Sequence, residues 1–320
     1  MKSVELITKK LAGEKTEYRA KGEFFIEKGI AKELTGHEDR WLAKRISAEL
    51  LGFNYIAEGV DKSHDGRDHW GRLDFGQRGY EGPIYDGIEN LCNCLKVQHV
   101  KFDNLSRWKK ETDFFVFALI DGPFQTLSSL LDYNQFLMDT MMKPDLMEKG
   151  VEAITREIIT IINIAVSNGA DGVILGEDIA YSKGLIVSPK IIRSVFLPRI
   201  QEIAASTNKP VVFHSDGNLT DILPDIAKTG IAGIHSIEEN SNMDLKSVRK
   251  AVGDNICLLG GFDLNNFYEY EEEELIDKVR GMIALGQDCE PYIFGTSAGI
   301  IDDNLPLEKV KLVYQTVSKR

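Results

Sequence analysis

The stretch Val211-Val212-Phe213-His214-Ser215-Asp216-Gly217-Asn218 decides how this chain is read. A short apolar run ends abruptly in a histidine, a carboxylate and a glycine turn. That is how a buried parallel strand delivers reactive side chains to the rim of an α/β enzyme. His214 and Asp216 are two residues apart, so continued extension points both to the same side. Such a pair holds a metal or shares a proton, and the functional question turns on which.

Working outward, similar apolar runs alternate with longer amphipathic segments from about residue 110 onward. The pattern predicts strands over 114–120, 172–175, 210–214, 233–237, 256–259 and 292–294. Helices are predicted over 149–167, 189–206, 219–228, 245–252 and 271–285. This is the rhythm of βα units with right-handed crossovers, hence of a parallel sheet. Upstream, 22–26 and 54–57 supply two more strands and bring the total to eight. Eight units predict an α/β chain folded as a closed (β/α)8 TIM barrel rather than an open doubly wound sheet. No GxGxxG follows the first strand, which counts against dinucleotide binding.

Helix punctuation agrees with this division. Ser188-Pro189 reads as an N-cap followed by proline at the first helical position. Asn168-Gly169 and Thr229-Gly230 read as helix ends just before strands. Residues 61–89, rich in Gly, Asp and His, read as a long loop insertion over one barrel face. The whole of 1–320 is expected to be one barrel domain with an N-terminal extension. The acidic run Glu269–Glu274 reads as a solvated helix start.

A hydrophobic content of 43% and a charged content of 28% are ordinary for a soluble globular protein. The net charge of −12 argues against nucleic acid, which is bound through basic surface. It also disfavours a substrate with many carboxylates unless arginines gather in one pocket. No apolar run is long enough to span a bilayer, and the start is polar, so a cytoplasmic setting is expected. Cys92, Cys94, Cys257 and Cys289 lack disulfide-scaffold spacing. Cys92-x-Cys94 lies in a helix-like stretch without a second pair and reads as structural.

Residues just past the strand ends share one rim of a barrel. Those positions are Glu58, Asp121, Glu177 with Asp178, His214 with Asp216, Glu238 with Glu239, Asp263 and Ser297. Nearly every strand thus ends in an acid. Some would cap helices or face solvent; together they make a candidate site. His214 ends an apolar strand and is held rigidly, and neutral imidazole suits both zinc and proton transfer. Glu238, at the end of the next strand, is expected to complete a metal site with His214 and Asp216. The alternative is a His214–Asp216 hydrogen bond without metal. His235 is placed mid-strand, as a satisfied core or helix-facing residue.

Further motifs lie in a familiar order: Gly169-Ala-Asp-Gly-Val, Gly176-Glu-Asp, Gly184-Leu-Ile-Val-Ser-Pro, Phe196-Leu-Pro-Arg, Lys209-Pro-Val-Val-Phe-His-Ser-Asp-Gly-Asn, Gly260-Gly-Phe-Asp and Pro306-Leu-Glu. In order and spacing this resembles the uroporphyrinogen decarboxylase superfamily over about residues 110–315. The resemblance extends more weakly to Leu11-Ala-Gly-Glu-Lys-Thr-Glu and Asp68-His-Trp-Gly. It implies a TIM barrel of the uroporphyrinogen decarboxylase/methionine synthase type.

Within that superfamily the sequence departs from the decarboxylases. Their RQAGR motif corresponds here to Arg19-Ala-Lys-Gly-Glu-Phe-Phe-Ile-Glu, with one arginine and two added acids. Leu130 stands at the family tyrosine and Asp178 at a family serine. The resemblance is closer to the corrinoid-dependent methyltransferase branch, whose members hold zinc with a His-x-Cys pair, often a Glu on the next strand, and a later Cys. His214 and Glu238 match, while Asp216 and Ala298 stand at the two cysteines.

Loss of both sulfur ligands disfavours a thiol acceptor and suits a methyl ether or methylated amine as donor. The implied enzyme is a methyltransferase component passing a methyl group to a corrinoid protein. Zinc would be held by His214, Glu238 and Asp216. His214, Asp178 and Glu177 would be catalytic, the two acids orienting substrate or relaying a proton. Asp121, Asp263 and Ser297 would face the corrinoid cofactor. A DxHxxG corrinoid-binding motif is absent, so cobalamin would come from the partner, and a homodimer is the state frequent in the family. Two other readings stand beside this one: a uroporphyrinogen decarboxylase-type lyase acting on a porphyrinogen carboxylate, and a non-catalytic barrel binding protein.

Overall fold

The computed structural model describes residues 1–73 and 82–318. Its main sheet has eight parallel strands: β1 Ala20–Lys21, β2 Tyr55–Glu58, β3 Phe115–Asp121, β4 Gly172–Gly176, β5 Val211–His214, β6 Gly233–His235, β7 Cys257–Leu259 and β8 Tyr292–Phe294. Consecutive strands pair from β2 to β8, and β8 pairs with β1. Closure comes from a parallel bridge between Gly22 and Tyr55. Beside it, Asn54 N–H donates to the Lys21 carbonyl at 2.8 Å and Lys21 N–H to Asn54 Oδ1 at 3.0 Å. The expected (β/α)8 TIM barrel is therefore the fold.

Alternate residues of each strand face the axis, as period two requires. Tyr55, Ala57, Phe115, Phe117, Ile174, Val212, Cys257, Leu259 and Ile293 form the interior core. The helix Ser3–Leu11 closes the N-terminal end with Leu6, Ile7 and Leu11 in the same cluster. The opposite parity, such as Val211, Phe213 and Ile234, packs against the surrounding helices.

Most elements follow the sequence pattern. The helix Leu245–Val252 has its expected bounds, and Asp244 caps it by accepting from Lys246 N–H and Ser247 N–H. Ser188 caps the next helical stretch with Pro189 behind it. That stretch contains a π turn at Ile192–Phe196 before Leu197–Ala205. Pro198 has no N–H to give, so the α-ladder has to be interrupted there.

Three expectations are corrected. The first strand is not 22–26: Phe25–Ile26 pairs with Ile300–Ile301 outside the barrel, and the barrel strand precedes it. The helix expected over 219–228 shortens to Leu223–Ile226 with a 3-10 turn at Ala227–Thr229. The strand expected over 233–237 ends at His235, because Ser236 turns to φ 70°. Part of the 61–89 insertion, 74–81, lies outside the described residues.

Candidate active site at the barrel mouth

Extended backbone carries His214 to the C-terminal end of β5 with its ring toward the axis, in the same parity as Val212. Asp178 enters from the loop after β4 and Asp216 from the turn after β5. His214 Nε2 lies 3.8 Å from Asp178 Oδ1 and 3.9 Å from Asp216 Oδ1. One donor atom from each of the three residues falls within 4.8 Å of the others. This is the spacing of a site that a cation could draw together.

Each carboxylate is positioned by its surroundings. Asp216 Oδ1 accepts from Ser236 Oγ at 2.6 Å, and Asp178 Oδ1 accepts from the backbone N–H of Asp216 at 3.2 Å. Burial pushes the Asp178 carboxyl above its ordinary value, and the neighbouring His214 pulls it back.

The expected residues distribute unevenly over this geometry. His214 and Asp216 come together with Asp178 rather than with Glu238. Glu238 Oε2 instead accepts from Gly217 N–H at 3.1 Å and Ser241 Oγ at 3.0 Å, holding the turn that carries Asp216. Glu177 is wholly buried and turned outward. Its Oε2 accepts from Phe124 N–H and Gln125 N–H, the first turn of the helix Pro123–Leu130, and Oε1 has no partner. Burial raises its pKa well above its ordinary value, against the two N–H groups that favour the charged form.

The other rim residues are engaged locally. Glu58 accepts from Lys44 Nζ and Trp108 Nε1, both at 2.7 Å. Asp121 pairs with Arg72 at 3.3 Å. Asp263 accepts from Asn240 Nδ2 and Asn265 N–H, and Ser297 is buried with its N–H on the Phe262 carbonyl. Glu239 is exposed.

Two histidines emerge that the sequence reading had undervalued. His235 is buried as expected but stands at the end of β6 rather than mid-strand, in direct register with His214. Its Nδ1 lies 2.8 Å from His214 Nδ1. Register partners on adjacent parallel strands face the same way, so the two strand-end histidines were the available signal. His69 lines a cavity of about 660 Å3 over the ends of β2 and β3, with Glu58, Arg72 and Asp121. Its ring is buried with Nδ1 unpartnered, and burial lowers its pKa to about 4, so it is neutral at physiological pH.

Asp68 organises this wall by accepting from Trp70 N–H, Arg72 N–H and Arg72 Nε. Arg72 also reaches Ser129. The cysteines stand apart from the site. Cys257 is buried on β7 with its thiol pushed up to about 12, and Cys92 and Cys94 sit on the helix Ile88–Cys94. Among the described residues no helix is long and apolar enough to cross a membrane.

Known proteins resemble the chain in sequence and in fold. Methylcobamide:CoM methyltransferase from Methanosarcina barkeri is 30% identical over 154 residues, 48% of this chain and 44% of the relative. A uroporphyrinogen decarboxylase from Chlorobaculum parvum is 26% identical over 169 residues, 50% of this chain and 46% of the relative. The chain thus spans less than half the length of these curated relatives. A solved methyltransferase from Methanosarcina mazei superposes with a TM-score of 0.80 over 99% of this chain and 98% of its own, at 19% identity, which establishes a shared fold. The uroporphyrinogen decarboxylase (URO-D) family model matches residues 94–320. On that match the chain belongs to the uroporphyrinogen decarboxylase family.

Proposed function

We propose that this chain is a corrinoid-dependent methyltransferase component that takes a methyl group from a small methyl ether or methylated amine and passes it to a corrinoid held by a partner protein. The observation that carries the reading is the cluster of His214 Nε2 with Asp178 and Asp216 at the barrel mouth. Relatives named methylcobamide:CoM and methylated-thiol–coenzyme M methyltransferases support the reaction class.

One neutral nitrogen and two carboxylates suit zinc or another borderline divalent ion, and their two negative charges would offset its charge. His214, Asp178 and Asp216 would hold it. Bound there, the metal would supply Lewis acidity to the oxygen or nitrogen that departs when the methyl group is taken. Oxygen donors in place of thiolates make the centre harder, which favours such a leaving atom over a thiol acceptor. Glu238 and Ser236 keep the Asp216 turn in place, and Glu177 ties the end of β4 to the neighbouring helix. The cavity beside Asp121 would accept the body of a small substrate, with neutral His69 available as a hydrogen-bonding wall. The sequence carries no DxHxxG motif, so this reading assigns the corrinoid to the partner.

The test is methyl transfer to cob(I)alamin, followed by the corrinoid spectrum, with zinc-supplemented protein and a panel of methyl ethers, methylated amines and methyl thiols. The reading expects transfer from an oxygen- or nitrogen-bound methyl group and its loss in His214→Ala. Transfer confined to thiols, or decarboxylation of uroporphyrinogen, would replace it.

A further inference from the structure

His235 is a wholly buried imidazole on the interior face of the barrel, where burying a polar ring is costly unless its nitrogens are used. Its seat is shaped for a ring. Phe24 packs against it with centroids 4.2 Å apart. Gly260 and Gly299 both have positive φ, and a Cβ there would lie 3.2 Å from His235 Nε2 and 3.1 Å from Cε1. An aliphatic side chain would fill this space without the desolvation cost, so packing alone does not account for histidine.

Its nitrogens constrain His214. With Nδ1 facing Nδ1 at 2.8 Å, one ring must donate and the other accept. If His235 donates, its own Nε2 is a bare buried acceptor, and no hydrogen-bond donor reaches it. His214 Nε2 then carries the proton and cannot bind a metal. If His214 donates, its Nε2 lone pair is free and faces Asp178 and Asp216 at 3.8 and 3.9 Å, an arrangement that a cation between them would satisfy. His235 Nε2 then carries the ring's own proton, without a hydrogen-bond partner.

We infer that His235 is the positioning residue of the centre: its Nδ1 accepts the Nδ1 proton of His214 and leaves His214 Nε2 bare and aimed at Asp178 and Asp216. The inference rests on the metal reading of this site. A second imidazole does here what a carboxylate or carbonyl does behind many metal-bound histidines, fixing tautomer and ring orientation.

The test uses the full chain and Zn2+ alone. Long-range side-chain 15N–1H correlation spectra of histidine-labelled protein should show, with Zn2+, a proton on His214 Nδ1 and on His235 Nε2. Zn2+ affinity by chelator competition should fall about 10- to 100-fold in His235→Leu and return to within about threefold of wild type in His235→Asn, whose amide oxygen replaces the Nδ1 acceptor. A packing role predicts the reverse order, because leucine fills the seat and asparagine does not. That reverse order, or a His235 proton on Nδ1 in the zinc-bound protein, overturns the inference. If His235→Leu does not fold, His235→Asn and the spectra still decide. His214→Ala separates the two claims. Zinc retained in that variant removes the metal reading, and this inference with it. Zinc lost there but unaffected by every His235 change removes the inference alone.

Discussion

Gly217→Ala should destabilise the protein by several kcal/mol and detach the proposed metal site from its support. Gly217 follows Asp216 and has φ +87°, a conformation that costs an L-residue about 1–2 kcal/mol. A Cβ there would also lie 2.6–2.7 Å from the backbone N, C and Cα of Tyr181. Carbon contacts are comfortable only at about 3.5–4.0 Å, so the turn must move away by roughly 1 Å.

That shift breaks the bond from Asn218 N–H to the Tyr181 carbonyl, now 2.9 Å, and the bond from Gly217 N–H to Glu238 at 3.1 Å. Each loss costs about 1 kcal/mol, and the total comes to about 3–4 kcal/mol. Gly36→Ala is the control: φ is +74° but nothing lies within 4 Å, so only the conformational cost of about 1–2 kcal/mol applies. Urea unfolding of both variants and wild type, with Zn2+ affinity measured alongside, tests the reasoning. Equal destabilisation by the two substitutions, to within about 0.5 kcal/mol, would refute it.

Two buried acids give further predictions. Glu23 accepts from Thr296 N–H, Thr296 Oγ1 and the Tyr314 hydroxyl, yet complete burial raises its pKa from 4.5 to about 7. A raised folded-state value contributes stability that is complete below pH 4.5 and lost as pH climbs through 7. Relative to Glu23→Gln, wild type should therefore lose about 3 kcal/mol across that window, at about 1.4 kcal/mol per pH unit, in unfolding measured at stepped pH; parallel curves would contradict this. Glu177 Oε2 accepts from two backbone N–H groups, as an amide oxygen also can, so Glu177→Gln should change stability by less than about 1 kcal/mol. Glu177→Leu strands two buried N–H groups and should cost about 2–5 kcal/mol. Similar thermal midpoints for the two variants would show that the backbone contacts do not matter.

What was legible in the sequence follows from how strongly each signal is tied to one conformation. The run 210–214 reads as a strand because its residues are β-branched or aromatic and end in a glycine turn, and β5 is Val211–His214. The barrel follows from repetition of that unit. The first strand was misplaced because Phe24, Phe25 and Ile26 make the stronger apolar run. Phe24 is instead the lid over the two histidines, and Phe25–Ile26 pairs outside the barrel.

The site was legible in part for the same reason. His214 and Asp216 are local and lie together, and Asp178, expected as a substrate-orienting or proton-relaying acid, lies beside them. Glu238 has the right spacing along the chain, yet the αL turn at Ser236 redirects the backbone before it, and its carboxylate ends on the turn rather than beside His214. His235 was missed because Ile237 prolongs the apolar run past the true end of β6. Register between strands, which joins His235 to His214, is a property of the sheet and not of either segment.

The central claim is that His214, Asp178 and Asp216 form one metal centre, and Zn2+ titration with counted stoichiometry tests it most directly. Wild type should bind one ion per chain, His214→Ala should bind none at that site, and Asp178→Asn should bind about tenfold or more weakly, while Glu238→Gln should retain stoichiometric zinc through its indirect role. Zinc absent from wild type, or lost with Glu238→Gln and kept with Asp178→Asn, would contradict the account.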